Sequence, residues 1–225
     1  MKKLIVAAAP LEIAPLLEHW DKTMPQGSHH LEIHKDLHVL CTGMGMMNTA
    51  AHLTHSCLTY HPDLIIEVGI CGSFDRKINI GEVLHVASET YGDFGVEDGD
   101  EFKDFFEMGF ITTPEDGFQY GKQYPIHTYY SFLQHYNLAS VDSVTVNKVH
   151  GKDESISALL QKYPAAIENM EGLAVMYVAN MLDIPCIAFR SVSNYVEKRN
   201  KESWDIPLAV HNLNGVLLSF LDYLK

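Results

Sequence analysis

The chain is short of positive charge and above all of arginine. Its 225 residues carry 29 acidic against 16 basic side chains, a formal net charge of -13, and only Arg76, Arg190 and Arg199 are arginine. That balance excludes the basic surface that nucleic acid or an anionic membrane requires, and it leaves the fold open. The four cysteines, Cys41, Cys57, Cys71 and Cys186, include no CxxC pair, and at least three fall in or beside apolar runs. They read as buried free thiols in a reducing cytosol. Long apolar runs are also missing. The opening "MKKLIVAAAP" is closed by Pro10 and Glu12 before it reaches the length of a secretory h-region, and nothing approaches a membrane span. A cytoplasmic protein is expected. There is no Walker loop and no G-x-S-x-G elbow, so those phosphate-binding and serine-nucleophile readings lapse.

What remains is an alternation of short apolar runs and helical periodicities. Residues 3–9 read as a strand buried on both faces, and 11–20 as a helix. A strand is expected over 31–41, a helix over 48–60, and strands at "DLIIEVGICGS" and "GEVLHVASET". Residues 92–135 are Gly-punctuated, acidic and aromatic, the kind of long irregular stretch that is usually functional or mobile. Strand 139–149, helices 154–162 and 170–182, strand 184–190 and helix 207–224 follow. Such alternation indicates an α/β fold, with a mostly parallel central sheet. With no repeat, low-complexity segment or linker, residues 1–225 read as one domain.

Two tempting motifs are weak. "TGMGMMN" lacks the third glycine of a dinucleotide fingerprint, and Asp63 lies before the next strand instead of at its end. A Gly-rich turn that brings a helix close to the sheet is the better reading, and no cofactor is expected. His29, His30, His34 and His38 have no completing carboxylate or cysteine set at metal-ligand spacing, so a solvated hairpin is preferred and no metal is expected.

Three features remain. Glu12 follows the first strand, beyond whose carboxyl end open α/β sheets bind ligands; it reads equally as a base or as a first-turn glutamate favoured by the helix dipole. In "VGICGSF", Gly69 and Gly72 let a ligand approach the backbone at another strand end. In "ENMEG", a carboxylate opens an apolar helix, where a sugar diol is one partner that could satisfy it and helix capping the alternative.

In order and spacing, Glu12, "GMGMMNTA", "VGICGSF" with "INIGEV", "ENMEG" and "IPCIAFRSVSN" resemble the nucleoside phosphorylase/nucleosidase superfamily over nearly the whole chain. The resemblance implies a three-layer αβα sandwich with a mostly parallel mixed sheet, assembly into homo-oligomers, and cleavage of the N-glycosidic bond of a small-molecule purine nucleoside. In the methylthioadenosine/adenosylhomocysteine nucleosidases, a glutamate matching Glu12 activates water and a Met-Glu pair matching Met170-Glu171 holds the ribose. Their strand-end Ser-Asp falls here on Ser193-Asn194. An aspartate can supply a proton to N7 of a leaving adenine; an asparagine cannot, but its amide can donate and accept, which fits a 6-oxopurine such as hypoxanthine.

The scarcity of arginine then bears on the nucleophile. A phosphate needs a cationic cradle, and Glu12 would oppose it, so water is expected. "ETYGDFGVEDG", "TVNKVHG" and "SNYVEKRNKESWDI" look most like the futalosine hydrolases of the menaquinone pathway, which release hypoxanthine. Catalytic roles are expected for Glu12 as base and Asn194 at the leaving purine. Substrate contacts are expected from Ile70, Cys71, Gly72, Val149, Asn169, Met170, Glu171 and Ser193. Lys198, Arg199 or a histidine of 92–135 is expected to meet the substrate carboxylate, while Arg190 reads as structural. A methylthioadenosine-type nucleosidase and a non-catalytic nucleoside-binding module are the alternatives.

Overall fold

The computed structural model describes residues 1–99, 101–111, 117–119, 121–126 and 129–225. The first strand, β1 (Lys3–Ala7), shows how the layers arise. Side chains alternate across a strand, so Leu4 and Val6 enter the core on one side while Ile5 and Ala7 enter the core on the other. A strand covered on both faces needs apolar residues at every position, and "LIVA" supplies them. Helices α2 (Met46–Tyr60) and α5 (Gly172–Met181) cover the first face through Leu53, Cys57, Val175 and Val178. Helices α1 (Ala14–His19) and α6 (Ile206–Tyr223) cover the second through Leu16, Leu17, Leu213, Leu217 and Phe220. The expected three layers, helix on sheet on helix, are present.

The remaining strands are β2 (His30–His34), β3 (Leu37–Cys41), β4 (Leu64–Ser73), β5 (Val83–Tyr91), β6 (Gly95–Asp98), β7 (Glu101–Asp104), β8 (Lys122–Gln123), β9 (Ser140–Thr145), β10 (Ile167–Asn169) and β11 (Cys186–Tyr195). Helices α3 (Tyr130–His135) and α4 (Asp153–Lys162) flank β9 in the chain. The main sheet runs β10-β9-β5-β11-β4-β1-β3-β2, with β8 on β5 and β6–β7 a separate hairpin. Its β1–β3, β1–β4, β4–β11, β5–β9 and β9–β10 pairs are parallel. The β5–β11 and β4–β10 pairs are antiparallel. Because β10 pairs with both β9 and β4, the strands β4, β11, β5, β9 and β10 form a closed ring.

Several boundaries differ from expectation for local reasons. The strand expected over 31–41 is a hairpin, because the polar pair Lys35-Asp36 turns the chain between β2 and β3. The helix expected from 170 begins at Gly172, since residues 167–169 pair as β10. The strand expected to end at 190 runs to Tyr195, and its polar residues Ser191 and Ser193 are buried. The strand expected to reach 149 stops at Thr145. No helix among the described residues is long and apolar enough to cross a membrane.

Candidate functional site

After β1 the chain turns at Ala8-Ala9, and Pro10, preset for a first helical position, opens a 3-10 turn over Pro10–Ile13. The turn carries the Glu12 carboxylate back over the strand end. Its Oε2 accepts the backbone N–H groups of Ala8 and Ala9, each at 3.0 Å, and its Oε1 accepts that of Ile70 at 3.0 Å. Glu12 thus ties the carboxyl end of β1 to that of β4. Burial raises its pKa above 4.5, against the opposing pull of the Arg190 cation and of the backbone donors at Ile70 and Ala9. Asn214 of α6 supports the turn from below, donating to the Glu12 carbonyl at 2.8 Å and accepting the Leu16 N–H at 3.2 Å.

A buried ionic cluster lies beneath. Arg190 on β11 is paired with Glu67 on β4, and the two residues carry almost no exposed surface. Arg190 stands opposite Gly69. A Cβ at Gly69 would fall 2.0 Å from Arg190 Nη1 and 3.1 Å from Glu12 Oε1, so only glycine leaves room for the guanidinium beside the Glu12 carboxylate. Burial disfavours the Arg190 cation, but Glu67, Glu171, Glu89 and Glu12 together outweigh that and raise its pKa. Burial also pushes the carboxyls of Glu67 and Glu89 up, Glu89 to about 7. One cation thus faces four acids. Glu67 and Glu89 were not among the expected site residues. Their signal is a lone acid inside an apolar strand, in "LIIEVGI" and "VASETY".

The "ENMEG" segment is built on Asn169. Its Nδ2 donates to Glu89 Oε1 and to Ser143 Oγ, both at 2.8 Å, while its Oδ1 accepts the N–H groups of Glu171 at 2.9 Å and Gly172 at 2.7 Å. Asn169 is among the expected substrate contacts, and here its side chain is bonded within the protein. Both amide hydrogens are spent inside the protein, and the residue instead fixes the start of α5. Glu171 follows with its Oε1 on the N–H of Gly45 at 2.8 Å. Gly45 has φ +87, which an L side chain rarely adopts. The "TGMGMMN" turn therefore serves Glu171 as well as bringing α2 close to the sheet. Met170 is half-buried beside it.

The fourth piece is the end of β11. A register shift between Val192 and Asn194 leaves Ser193 as the extra residue of a bulge and sets Asn194 opposite Gly72. Ser193 Oγ lies 3.1 Å from the Cys71 carbonyl and 2.8 Å from Asn194 Oδ1. Asn194 Nδ2 donates to the Tyr195 carbonyl at 3.0 Å. A Cβ at Gly72 would meet Val196 Cγ2 at 2.7 Å and Asn194 Nδ2 at 3.3 Å. Ile70 and Gly72 are half-buried here, and Val149 is exposed. The backbone of Cys71 is the part expected to line the base pocket; its side chain packs in the core with Leu84 and Ala188, and burial pushes its thiol up to about 12. Only its backbone is available to a ligand.

The structure thus gathers Glu12, Ile70, Gly72, Glu171, Ser193 and Asn194 around the carboxyl ends of β1, β4 and β11. Lys198 is exposed, Arg199 stacks over the Trp204 ring, and His127, one of the histidines in 92–135, lies outside the described residues. The histidines of the β2–β3 hairpin sit elsewhere. His29, His30 and His38 line a surface cleft of about 540 Å³ with His52 and His55, and His30 Nε2 lies 2.6 Å from His38 Nδ1. Among the described residues no three His, Cys, Asp or Glu side chains are arranged to hold a metal ion.

Comparison with known proteins places this geometry in context. The Phosphorylase superfamily profile matches residues 2–222. A futalosine hydrolase of Acidothermus cellulolyticus is 29% identical over 95% of this chain and 87% of its own length. A 5'-methylthioadenosine/S-adenosylhomocysteine nucleosidase of Maridesulfovibrio salexigens is 26% identical over 88% of this chain and 87% of its own. Among solved structures, the native futalosine hydrolase of Helicobacter pylori superposes with a TM-score of 0.80 at 20% identity, covering 99% of this chain and 98% of that one.

Proposed function

The chain belongs to the phosphorylase superfamily, and from that premise we propose that it is a purine nucleosidase that uses water to cleave the N-glycosidic bond of a 6-oxopurine nucleoside, with futalosine as the substrate. The observation that carries this reading is the setting of Glu12. Its carboxylate is held by three backbone donors at the ends of two strands, with a pKa raised by burial toward the working range of a general base.

Glu12 takes a proton from water as the water oxygen attacks C1′. The C1′–N9 bond breaks, and its electron pair leaves on the purine. The ribosyl centre carries positive charge in the transition state, and Glu171, fixed by Gly45 and Asn169, accepts from the ribose hydroxyls with Met170 against the sugar. Asn194, supported by Ser193, meets N7 and O6 of the leaving base. A 6-oxopurine spreads the arriving charge onto O6 and N7, so an amide donor suffices where an acid would otherwise be needed.

The engagement of all three arginines supports water over phosphate: Arg190 is paired with Glu67, Arg76 with Glu197, and Arg199 stacks on Trp204. Similarity to futalosine hydrolases supports the substrate. The similar identity to methylthioadenosine/adenosylhomocysteine nucleosidases favours a second reading, the same chemistry on a 6-aminopurine. The reading treats residues 1–225 as one domain, supported by a sheet that draws strands from both halves of the chain. Exposed Leu11, Met44 and Met47 near the site support a homo-oligomer that covers them. The four free, buried cysteines support a cytoplasmic location.

The test is base release from futalosine, methylthioadenosine and inosine in parallel, with phosphate omitted. Hypoxanthine from futalosine without phosphate is the expected result. Adenine from methylthioadenosine alone selects the second reading. Strict dependence on phosphate refutes the hydrolase.

A further inference from the structure

Glu171 opens α5, and a polar residue in that position usually bonds its side chain to the helix. The first turn leaves backbone N–H groups without partners, and a side chain at the cap is the common way to satisfy them. Glu171 makes no such bond. Side chains from three strands take its place. Asn169 Oδ1, on β10, accepts the N–H groups of Glu171 and Gly172, and Thr145 Oγ1, on β9, accepts that of Leu173 at 2.9 Å. Behind both stands Glu89 on β5. Its Oε1 accepts from Asn169 Nδ2 at 2.8 Å, and its Oε2 accepts from the Thr145 hydroxyl at 2.7 Å. Neither Glu89 nor Thr145 has exposed surface.

Glu89 decides which way the Asn169 amide faces. A flipped amide would aim its NH₂ at the N–H groups of Glu171 and Gly172, donor against donor. Ser143 Oγ, the other partner of Asn169 Nδ2, is indifferent to the flip, because a hydroxyl both donates and accepts. The Glu89 oxygen accepts, so only the observed sense satisfies it. Gly172 permits the close approach: a Cβ there would fall 2.0 Å from Glu89 Oε1 and 2.6 Å from its carboxyl carbon. The Glu171 carboxylate is thereby released from capping. Its Oε1 accepts the Gly45 N–H, and its Oε2 has no partner among the described residues.

We propose that Glu89 and Thr145 are positioning residues that cap α5 in place of Glu171, and so reserve the Glu171 carboxylate for the hydroxyls of a ribose. The inference rests on the nucleosidase reading and deepens it, since it names the part of the substrate that the brace serves, an intact 2′,3′-diol. With the brace removed, the helix end lacks acceptors and Glu171 is the nearest side chain to supply one. A carboxylate drawn back to the helix loses its hold on the diol, while Asn194 keeps the purine and Glu12 the water.

A brace of merely mechanical importance would slow every nucleoside alike. The measurement is therefore the ratio of kcat/KM for the ribonucleoside that wild type cleaves over its 2′-deoxy counterpart. The greater lability of a deoxyribosyl bond is the same in every variant and cancels from the comparison. Glu89→Leu removes the acceptor and Thr145→Val the hydroxyl. Each should lower the ratio by about 10- to 100-fold, as for a hydrogen bond to a charged group. Glu89→Gln keeps an oxygen for Asn169 and Thr145→Ser keeps the hydroxyl, so both should hold the ratio near that of wild type. A ratio unmoved by the first pair, or lowered as far by the second, overturns the proposal. Wild-type enzyme also tests it without any substitution. A 2′-deoxy nucleoside that competes for the site as tightly as the ribonucleoside overturns the proposal even if no variant folds. If wild type releases no base from any nucleoside, the nucleosidase reading itself has failed, and this inference fails with it.

Discussion

Replacing Glu12 by glutamine probes the proposed base with the least change of shape. The carboxylate accepts from three backbone N–H groups, two on Oε2 and one on Oε1. A glutamine has one acceptor and one donor end. If its oxygen keeps Ala8 and Ala9, its NH₂ faces the Ile70 N–H, donor against donor. One buried N–H is then unpaired, at a cost of about 1–3 kcal/mol, and for a chain of this size each kcal/mol lowers Tm by about 2–4 °C. Loss of the general base removes a further factor of about 10²–10⁴ from kcat. The variant should therefore stay folded, with a modestly lower Tm in a thermal melt. It should still bind substrate by calorimetry and turn over at least 100-fold more slowly in a phosphate-free assay of base release. Turnover within tenfold of wild type, in a variant whose melt confirms the lost stability, would refute Glu12 as the base. The same reasoning fixes a pH dependence. A base acts only when ionised, and burial raises the Glu12 pKa, so activity should fall on the acid side at a pH above that of an ordinary glutamate.

Asn194→Ala removes the donor to the leaving purine and should lower kcat by about 10²–10³. Asn194→Asp should shift preference toward 6-aminopurines, read as adenine against hypoxanthine release, and an unmoved preference would separate Asn194 from base selection. Glu89 gives a stability prediction with a definite sign. Its carboxyl titrates at about 7 in the fold against 4.5 when free. The folded state therefore keeps a proton that the unfolded chain releases, and the stabilisation it provides is lost as pH rises from 4.5 through 7. Glu89→Gln, which mimics the protonated acid, should flatten that part of the profile in urea unfolding at several pH values. Gly172→Ala would place a Cβ 2.0 Å from Glu89 Oε1. It should cost about 1–3 kcal/mol or more in the same assay and displace Glu171 enough to lower activity.

The layers and the three strand ends were legible in the sequence because each rests on short-range pattern. "LIVA" demands burial on both faces, and "VGICGS" and "SVSN" mark strand ends by their glycines and polar residues. Glu12, Glu171 and Asn194 stood out as polar groups next to apolar runs. The cluster of Glu67, Glu89 and Arg190 was harder to read, since its meaning depends on β4, β5 and β11 lying side by side. The structural role of Asn169 was hidden for a related reason. Spacing places it beside Met170 and Glu171, but only the tertiary partners Glu89 and Ser143 decide which way its amide points. Cys71 likewise shows its backbone to the site and its side chain to the core, an alternation that sequence cannot orient before the sheet's covered faces are known.

The position of β11 has a consequence for how the enzyme comes into being. Residues 186–195 slot between β4 and β5, which are themselves complete more than ninety positions earlier. A chain leaving the ribosome at about 5–20 residues per second therefore carries two unpaired strand edges for several seconds before the strand that joins them exists. Those edges are templates for pairing with other chains, so the emerging polypeptide is most exposed to aggregation while it is still being made. Arg190 arrives with that same late strand. Until it does, Glu67 has no cation to meet in the core, and the half-built sheet carries an uncompensated acid at its centre.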